Sequence, residues 1–312
     1  MTTSSNPGFP PGTVIKGKWK AGRYMIRRIL GRGANGTVYL VQQAKDGREL
    51  ALKMGNDPVD LQSEINVLTS LQIQGASASL LRDGESYLLD VDDFTAGGQD
   101  IPFYVMRYVR GEPLHRYVAR HGSAGYAAAG LQILERLSEL HQSGWIFGDL
   151  KPQNVLVSVR GTAELIDYGG VSRMGRSVKQ FTEWYDRGFW NAGGRHADVQ
   201  YDLFAFALLT IHVLESPMLK HAASKLPQLR NITDIHAIIR RSEKLKPYAA
   251  WLNRAVNGDF KDARRAAESW NGQVFTAVRR RASQRRTPRW LRNAFAASLV
   301  LLVGAVWLAL RP

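Results

Sequence analysis

Asp149, Lys151 and Asn154 bring a carboxylate, an ammonium and an amide together within the short run Phe147-Gly148-Asp149-Leu150-Lys151-Pro152-Gln153-Asn154-Val155-Leu156. Those groups at those spacings suit the transfer of a phosphoryl group to a hydroxyl. A carboxylate can orient the hydroxyl and accept its proton, an ammonium can neutralise the charge in flight, and an amide oxygen can ligate magnesium. A loop rich in turn formers is the plainer reading of the same run. Beginning eleven residues after Asn154, Leu165-Ile166-Asp167-Tyr168-Gly169 ends an apolar stretch on a second carboxylate, Asp167. It can complete a metal site, although taken alone it reads equally as an aspartate turn. Upstream, Lys53 closes the apolar run Leu50-Ala51-Leu52, and Glu64 follows eleven residues later. A lysine there can bridge two phosphates if a carboxylate holds it, whereas the bland alternative is a surface ion pair. Gly31-Arg32-Gly33-Ala34-Asn35-Gly36-Thr37-Val38 is a Gly-x-Gly-x-x-Gly-x-Val loop whose missing side chains would let backbone amides approach phosphates. A glycine-rich hairpin with no ligand accounts for that loop about as well. A dinucleotide-binding fingerprint would need a helix next, and here a strand follows.

The elements that must position these residues are legible from periodicity. Residues 24–26, 37–41 and 50–53 are strand-like and separated by glycines and the turn Lys45-Asp46-Gly47, which predicts a small antiparallel sheet. Residues 59–68 carry apolar side chains at helical spacing, and 87–89 and 103–106 read as further strands. Beyond Gly111 the pattern turns helical. Leu131, Leu134, Leu137 and Leu140 make 127–141 amphipathic, and 203–214 is apolar nearly all round, as a buried central helix would be. The expected class is α+β, a β-rich lobe followed by a helical one, without internal repeats.

In the order and spacing of these motifs the chain resembles the eukaryotic-like, or Hanks-type, serine/threonine protein kinases of bacteria over roughly residues 24–270. The resemblance implies the bilobal kinase fold, with a small β-rich N-lobe and a helical C-lobe. It implies ATP with Mg2+ or Mn2+ as cofactors and protein Ser/Thr hydroxyls as substrates, the chain itself in trans among them. By motif, Lys53 and Glu64 resemble the strand-lysine and helix-glutamate pair, Asp149 the catalytic aspartate with Lys151 beside it, and Asn154 and Asp167 the metal ligands. Gly31, Gly33 and Gly36 would cover the phosphates. Val38, Ala51 and Leu156 would sandwich adenine, and Met106 would be the gatekeeper before a hinge containing Tyr108. Asp202 is similar to the family's buried aspartate that braces the catalytic loop. The sequence also departs from the pattern. Phe147-Gly148-Asp149 replaces His-Arg-Asp, so Gly148 stands where an arginine would receive an activation-loop phosphate. Tyr168 replaces a phenylalanine, and the link from Lys53 to Glu64 is short. Arg187-Gly188-Phe189 stands where Ala-Pro-Glu is expected, which removes the glutamate that anchors the substrate loop. Two other functions fit part of the pattern. Gly148-Asp149-Leu150 resembles the loops of aminoglycoside and choline kinases, and a catalytically silent pseudokinase scaffold would keep the fold. The complete glycine loop, Lys151-Pro152 and Tyr168-Gly169 favour a protein substrate, and the intact Lys53, Asp149, Asn154 and Asp167 favour catalysis.

Composition bounds the rest. At 45% hydrophobic and 22% charged, the 312 residues are neither disordered overall nor a multi-span membrane protein. With no cysteine there is no disulfide, thiolate metal site or cysteine nucleophile, and the seven histidines are scattered without metal-ligand spacing. The net charge is +15, of which seven positive charges are Arg279, Arg280, Arg281, Arg285, Arg286, Arg289 and Arg292, leaving +8 for the remainder. After them, 294–310 holds no charge and as a helix spans about 25 Å, close to the ~30 Å hydrocarbon core of a bilayer. Trp290 and Trp307 lie near its ends as interfacial anchors. The expected organisation is a flexible N-terminal arm (1–21) without a signal peptide, a kinase domain (22–275), a basic juxtamembrane linker (276–293) and one transmembrane helix (294–310). By the positive-inside rule the kinase domain would be cytoplasmic and the C-terminus outside. With Arg311 and Pro312 next, no external sensor domain is expected. The arginine band would meet an anionic lipid surface, and it could also bind nucleic acid without sequence specificity.

Overall fold

Strand alternation between residues 14 and 107 builds one twisted antiparallel sheet whose two faces have different tasks. The computed structural model describes residues 8–33, 35–73, 81–82, 85–179, 182–278 and 289–309. Its sheet is formed by β1 (Val14–Lys16), β2 (Arg23–Gly33), β3 (Gly36–Gln43), β4 (Glu49–Met54), β5 (Leu88–Ala96) and β6 (Gln99–Arg107), in the order β1-β2-β3-β4-β6-β5. On β4, Leu50, Leu52 and Met54 enter an outer core with Ile26, Tyr39, Val41, Phe103 and Val105. The period of two turns Ala51 and Lys53 the other way, and there Ala51 joins Tyr104 and Met106 in the core shared with the helices. The expected strands are all present, and β2 and β5 run on past the apolar runs that announced them, β2 into an exposed stretch and β5 through mostly half-buried residues.

Helix α1 (Pro58–Ile73) starts where Asp57 accepts from the backbone N–H groups of Val59 and Asp60, with Pro58 in the first turn. It buries Leu61, Ile65, Leu68 and Leu71 against the sheet. The short link from Lys53 is made by a close approach at Gly55, where a Cβ would lie 2.8 Å from Cβ of Leu61.

The helical part is built on α2 (Leu114–Gln142), which is broken at Gly122 with φ 63°, and α3 (Val199–Ala223), which is N-capped by Asp198. Between them runs the short hairpin β7 (Val155–Val157) and β8 (Ala163–Leu165). Leu203, Leu208, Leu209 and Ile211 of α3 are wholly buried, so this helix, long and apolar enough to cross a membrane by composition, is the centre of the core. Helices α4 (Ile232–Arg241), α5 (Ala249–Asn257) and α6 (Ala263–Ser269) surround it. Phe206, Trp251 and Trp270 meet edge to face at 5.0–5.2 Å, and the indole N–H groups of Trp251 and Trp270 donate to the carbonyls of Ala266 and Ala127.

At the ends the structure differs from the expected boundaries in two places. Residues 1–7 of the proposed flexible arm lie outside the described residues, but Val14–Lys16 pairs with β2 as a strand of the sheet, and the backbone amides of Trp19 and Lys20 donate to the Asp92 side chain. At the other end Val278 is buried, which puts the first residues of the proposed linker into the packed lobe. Arg279, Arg280, Arg281, Arg285 and Arg286 lie outside the described residues, and the chain resumes as α7 (Arg289–Ala309). On α7, Phe295, Leu299, Val300, Leu301, Leu302, Val303, Val306 and Trp307 are all exposed.

Candidate active site

The chemistry-bearing residues come together where the inner face of the sheet meets hairpin β7–β8. Lys53 is buried, and its Nζ donates to Glu64 Oε2 at 2.7 Å and to Asp167 Oδ1 at 3.0 Å. Burial by itself would lower the Lys53 pKa, but the two carboxylates outweigh it and the ammonium is held more firmly than usual. Burial pushes the Glu64 carboxyl up, and Lys53 and a hydrogen bond from Tyr104 only partly offset that. Asp167 is half-exposed. Crowding around it opposes ionisation, but the Lys53 charge, the Lys53 hydrogen bond and the backbone N–H of Gly169 hold it below the ordinary carboxylate range. Its backbone is left-handed, φ 62° and ψ 83°, a conformation rare outside glycine and typical of functional turns.

Asp149 is buried beside this cluster, with Lys151 Nζ donating to Oδ2 at 2.6 Å and the Thr182 hydroxyl donating to Oδ1 at 2.8 Å. Asn154 Nδ2 donates to the Asp149 carbonyl at 2.9 Å and to Oδ2 at 3.2 Å, which leaves the Asn154 amide oxygen to face a cation. The two halves of the site are joined through the backbone, since the Ile166 N–H donates to the Asn154 carbonyl at 2.9 Å next to the β7–β8 pairing. Asn154 and Asp167 therefore flank the same end of one hairpin. Oxygen donors of this kind suit a hard divalent cation.

The loop that carries Asp149 is held from below. Both oxygens of the wholly buried Asp202 accept backbone N–H groups, Oδ2 from Phe147 at 2.8 Å and Oδ1 from Gly148 at 2.9 Å, and Oδ2 is also 2.8 Å from His141 Nε2. Phe147 and Tyr168 are buried against one another, ring centroids 5.9 Å apart, and Tyr87 packs on the other side of Tyr168 at 5.4 Å.

Above the loop, Gly31, Gly33 and Gly36 lie at the tip of hairpin β2–β3, Gly31 in register with Val38 and Gly33 with Gly36 across the turn. A Cβ at Gly31 or Gly33 would meet nothing within 4 Å, so packing does not demand glycine there, and a ligand approaching the backbone would. Gly36 differs. Its φ is 137° and a Cβ would fall 2.1 Å from the Met54 carbonyl, so it is required by the fold. Val38, Ala51, Met106, Tyr108 and Leu156 all border the same apolar cluster, with Ala51 and Met106 cross-strand partners. Leu30 lines it too. That position was not singled out from the sequence, although an apolar residue directly before the glycine loop was there to be noticed.

The substrate-loop anchor expected to be missing is replaced. Wholly buried Asp186 accepts from Arg195 Nε at 2.8 Å, the Tyr201 hydroxyl at 3.2 Å and the Gly188 N–H at 3.0 Å. Arg187 grips Asp198, the cap of α3, with two hydrogen bonds of 2.9 and 2.6 Å. A charge pair crossing each way thus holds 186–198 on α3 without the family's glutamate. Thr182, Tyr104 and His141 were also missed, because each meets a carboxylate 33 to 61 residues away in the chain.

Comparison with known proteins agrees with this geometry. The protein kinase domain family profile matches residues 24–278. Serine/threonine-protein kinase YabT of Bacillus subtilis is 38% identical over 264 residues, covering 84% of this chain and 74% of that one. Serine/threonine-protein kinase pkn2 of Myxococcus xanthus is 28% identical over 270 residues, 80% of this chain and 31% of that protein. Among solved structures, vaccinia related kinase 3 superposes with a TM-score of 0.55 at 17% identity, covering 84% of this chain and 94% of that one, which speaks to the fold alone. The family uses ATP and a divalent metal ion, and this chain belongs to it as a serine/threonine protein kinase.

Proposed function

We propose that the chain phosphorylates Ser and Thr hydroxyls of proteins, a second copy of itself included, through Asp149, Lys151, Lys53 and Glu64, with Asn154 and Asp167 as metal ligands. The reading is carried by the convergence of Asp149, Asn154 and Asp167 at one end of hairpin β7–β8 with Lys53 bonded to Asp167. Magnesium or manganese would be held between the Asn154 amide oxygen and Asp167, where it would neutralise charge on the transferring phosphoryl group. Asp149 orients the acceptor hydroxyl and takes its proton, and Lys151 offsets the charge beside it. Lys53 holds phosphate oxygens and is itself held by Glu64. Gly31, Gly33 and Gly36 admit the phosphates to the backbone of the β2–β3 tip, and Val38, Ala51, Met106, Tyr108 and Leu156 receive adenine. Asp149→Asn should lower phosphate transfer to casein and to the chain itself by about 10²–10⁴-fold while nucleotide binding persists. Full activity in that variant would remove Asp149 from the role.

The second part of the proposal concerns place: residues 22–278 form the catalytic domain, and the exposed apolar α7 tethers it to a membrane, with the kinase on the cytoplasmic side and a signalling role there. The apolar side chains of α7 support this, as does the arginine band before it, which is suited to an anionic lipid surface or, without sequence specificity, to nucleic acid.

A further inference from the structure

Glu64 is buried on α1 with both carboxylate oxygens engaged, but its one cation is shared. Lys53 Nζ bonds Oε2 at 2.7 Å and Asp167 at 3.0 Å, and in the reading above the same ammonium must also serve phosphate. A buried carboxylate that shares its cation with two other anions is weakly compensated, and desolvation then favours its protonation and withdrawal. The other oxygen, Oε1, accepts at 2.9 Å from the hydroxyl of Tyr104. Tyr104 is 1% exposed and lies directly across from Lys53 in the β4–β6 register, which aims its ring at the inner face of the sheet. Among the described residues its hydroxyl makes no other hydrogen bond. It is a neutral donor, so it does not compete for Lys53.

We propose that Tyr104 is a positioning residue for phosphoryl transfer: its hydroxyl holds the Glu64 carboxylate in place, and through it seats α1 and orients Lys53. The role matters more in this chain than a loop-phosphate switch, because Gly148 offers no arginine to receive such a phosphate. On its outer side α1 is tied to the loop after Asp167 by Lys179, whose Nζ donates to Ser63 at 2.8 Å, so both sides of the helix are held by unmodified side chains. The proposal rests on the assignment of Lys53 and Glu64 given above.

The test uses the full chain in detergent and measures kcat/KM for ATP against pH. The ionisable groups facing Glu64 are Lys53 on β4, Tyr104 on β6, Asp167 after β8 and Tyr87 before β5. Tyr104→Phe removes one donor from the ionised carboxylate, which raises the Glu64 pKa. Activity that needs the carboxylate is lost as pH falls through that pKa, so the acid limb should move to higher pH by about half a unit or more. At pH 8 the variant should lose about five- to tenfold in kcat/KM, with its thermal midpoint lowered by no more than a few degrees. In a Glu64→Met background, which has the length but no acceptor, the same Tyr104→Phe change should alter the residual activity less than twofold. An equal loss in both backgrounds, an unmoved acid limb, or an unaffected single variant would overturn the proposal. Asp149→Asn run alongside separates the failures, because an active Asp149→Asn would indict the site assignment and not Tyr104.

Discussion

Gly148 stands where the family carries an arginine, and its backbone shows why a side chain is not simply missing there. Its φ is 77°, and a Cβ would lie 2.6 Å from the carbonyl oxygen of Gly170, itself packed against Asp149. Left-handed geometry costs a non-glycine residue about 1–2 kcal/mol, before the displaced carbonyl is counted. Gly148→Arg should therefore destabilise the kinase by roughly 1–3 kcal/mol, read as a fall of several degrees in the thermal midpoint, and should lower basal activity. A fully stable, loop-phosphate-responsive variant would contradict this. Lys53, Glu64, Asp149, Asn154 and Asp167 stand out in the sequence because four charged groups and one amide recur in short motifs in one order, and that order admits few explanations. Tyr104, Thr182 and His141 were not. A hydroxyl or an imidazole reveals its use only when the chain crossing brings a carboxylate to it, and nothing in the local pattern around Tyr104 distinguishes a donor from a packed ring.

The segment between Thr182 and α3 makes the same point for an element. It has no periodicity, so the sequence showed only what it lacks, the Ala-Pro-Glu glutamate, and not the two charge pairs that cross it at separations of 9 and 11 residues. The strands and the buried α3 were legible for the opposite reason: alternation and an all-round apolar helix follow directly from facing a core. The break in α2 at Gly122 was hidden because helical spacing continues on both sides of it. Of the two acids, Asp186 depends more on its partners, since it is wholly buried and also accepts from Tyr201 and the Gly188 N–H, whereas the Asp198 side chain is 44% exposed. Asp186→Asn should cost about 2 kcal/mol, moderated because Arg195 can turn to water. Its kinetic mark should be a raised KM for protein substrate with KM for ATP little changed, since the segment adjoins Thr182 and not the nucleotide wall. Equal effects on both KM values would mean that the pair supports the whole site.

Across the whole molecule, the catalytic lobes have complete cores of their own, while α7 presents apolar side chains that those cores do not use. Helix α7 begins with Arg289 and Arg292, and its uncharged part from residue 294 onward spans about 25 Å, slightly short of a hydrocarbon thickness of ~30 Å. Seven arginines immediately before and at its start, with no acidic residue among them, would keep that end on the cytoplasmic side and draw it to anionic headgroups at about 1 kcal/mol per basic residue near the surface. The full chain should therefore remain in the membrane pellet after carbonate extraction. Leu302→Arg together with Val300→Asp places two charges at the middle of the helix, each disfavoured there by about 3 kcal/mol, and should release the chain into the supernatant with its kinase activity intact. Replacing the seven arginines by glutamine should do something different. The apolar run is untouched, so insertion should persist, while any rise of autophosphorylation on vesicles containing anionic lipid, and its fall with added salt, should disappear. Duplex DNA in place of vesicles tests the other polyanion, with the same salt dependence expected if the band acts by charge alone. Extraction of the unaltered chain by carbonate would defeat the tether, and stimulation that survives the glutamine substitutions would remove the arginine band from regulation.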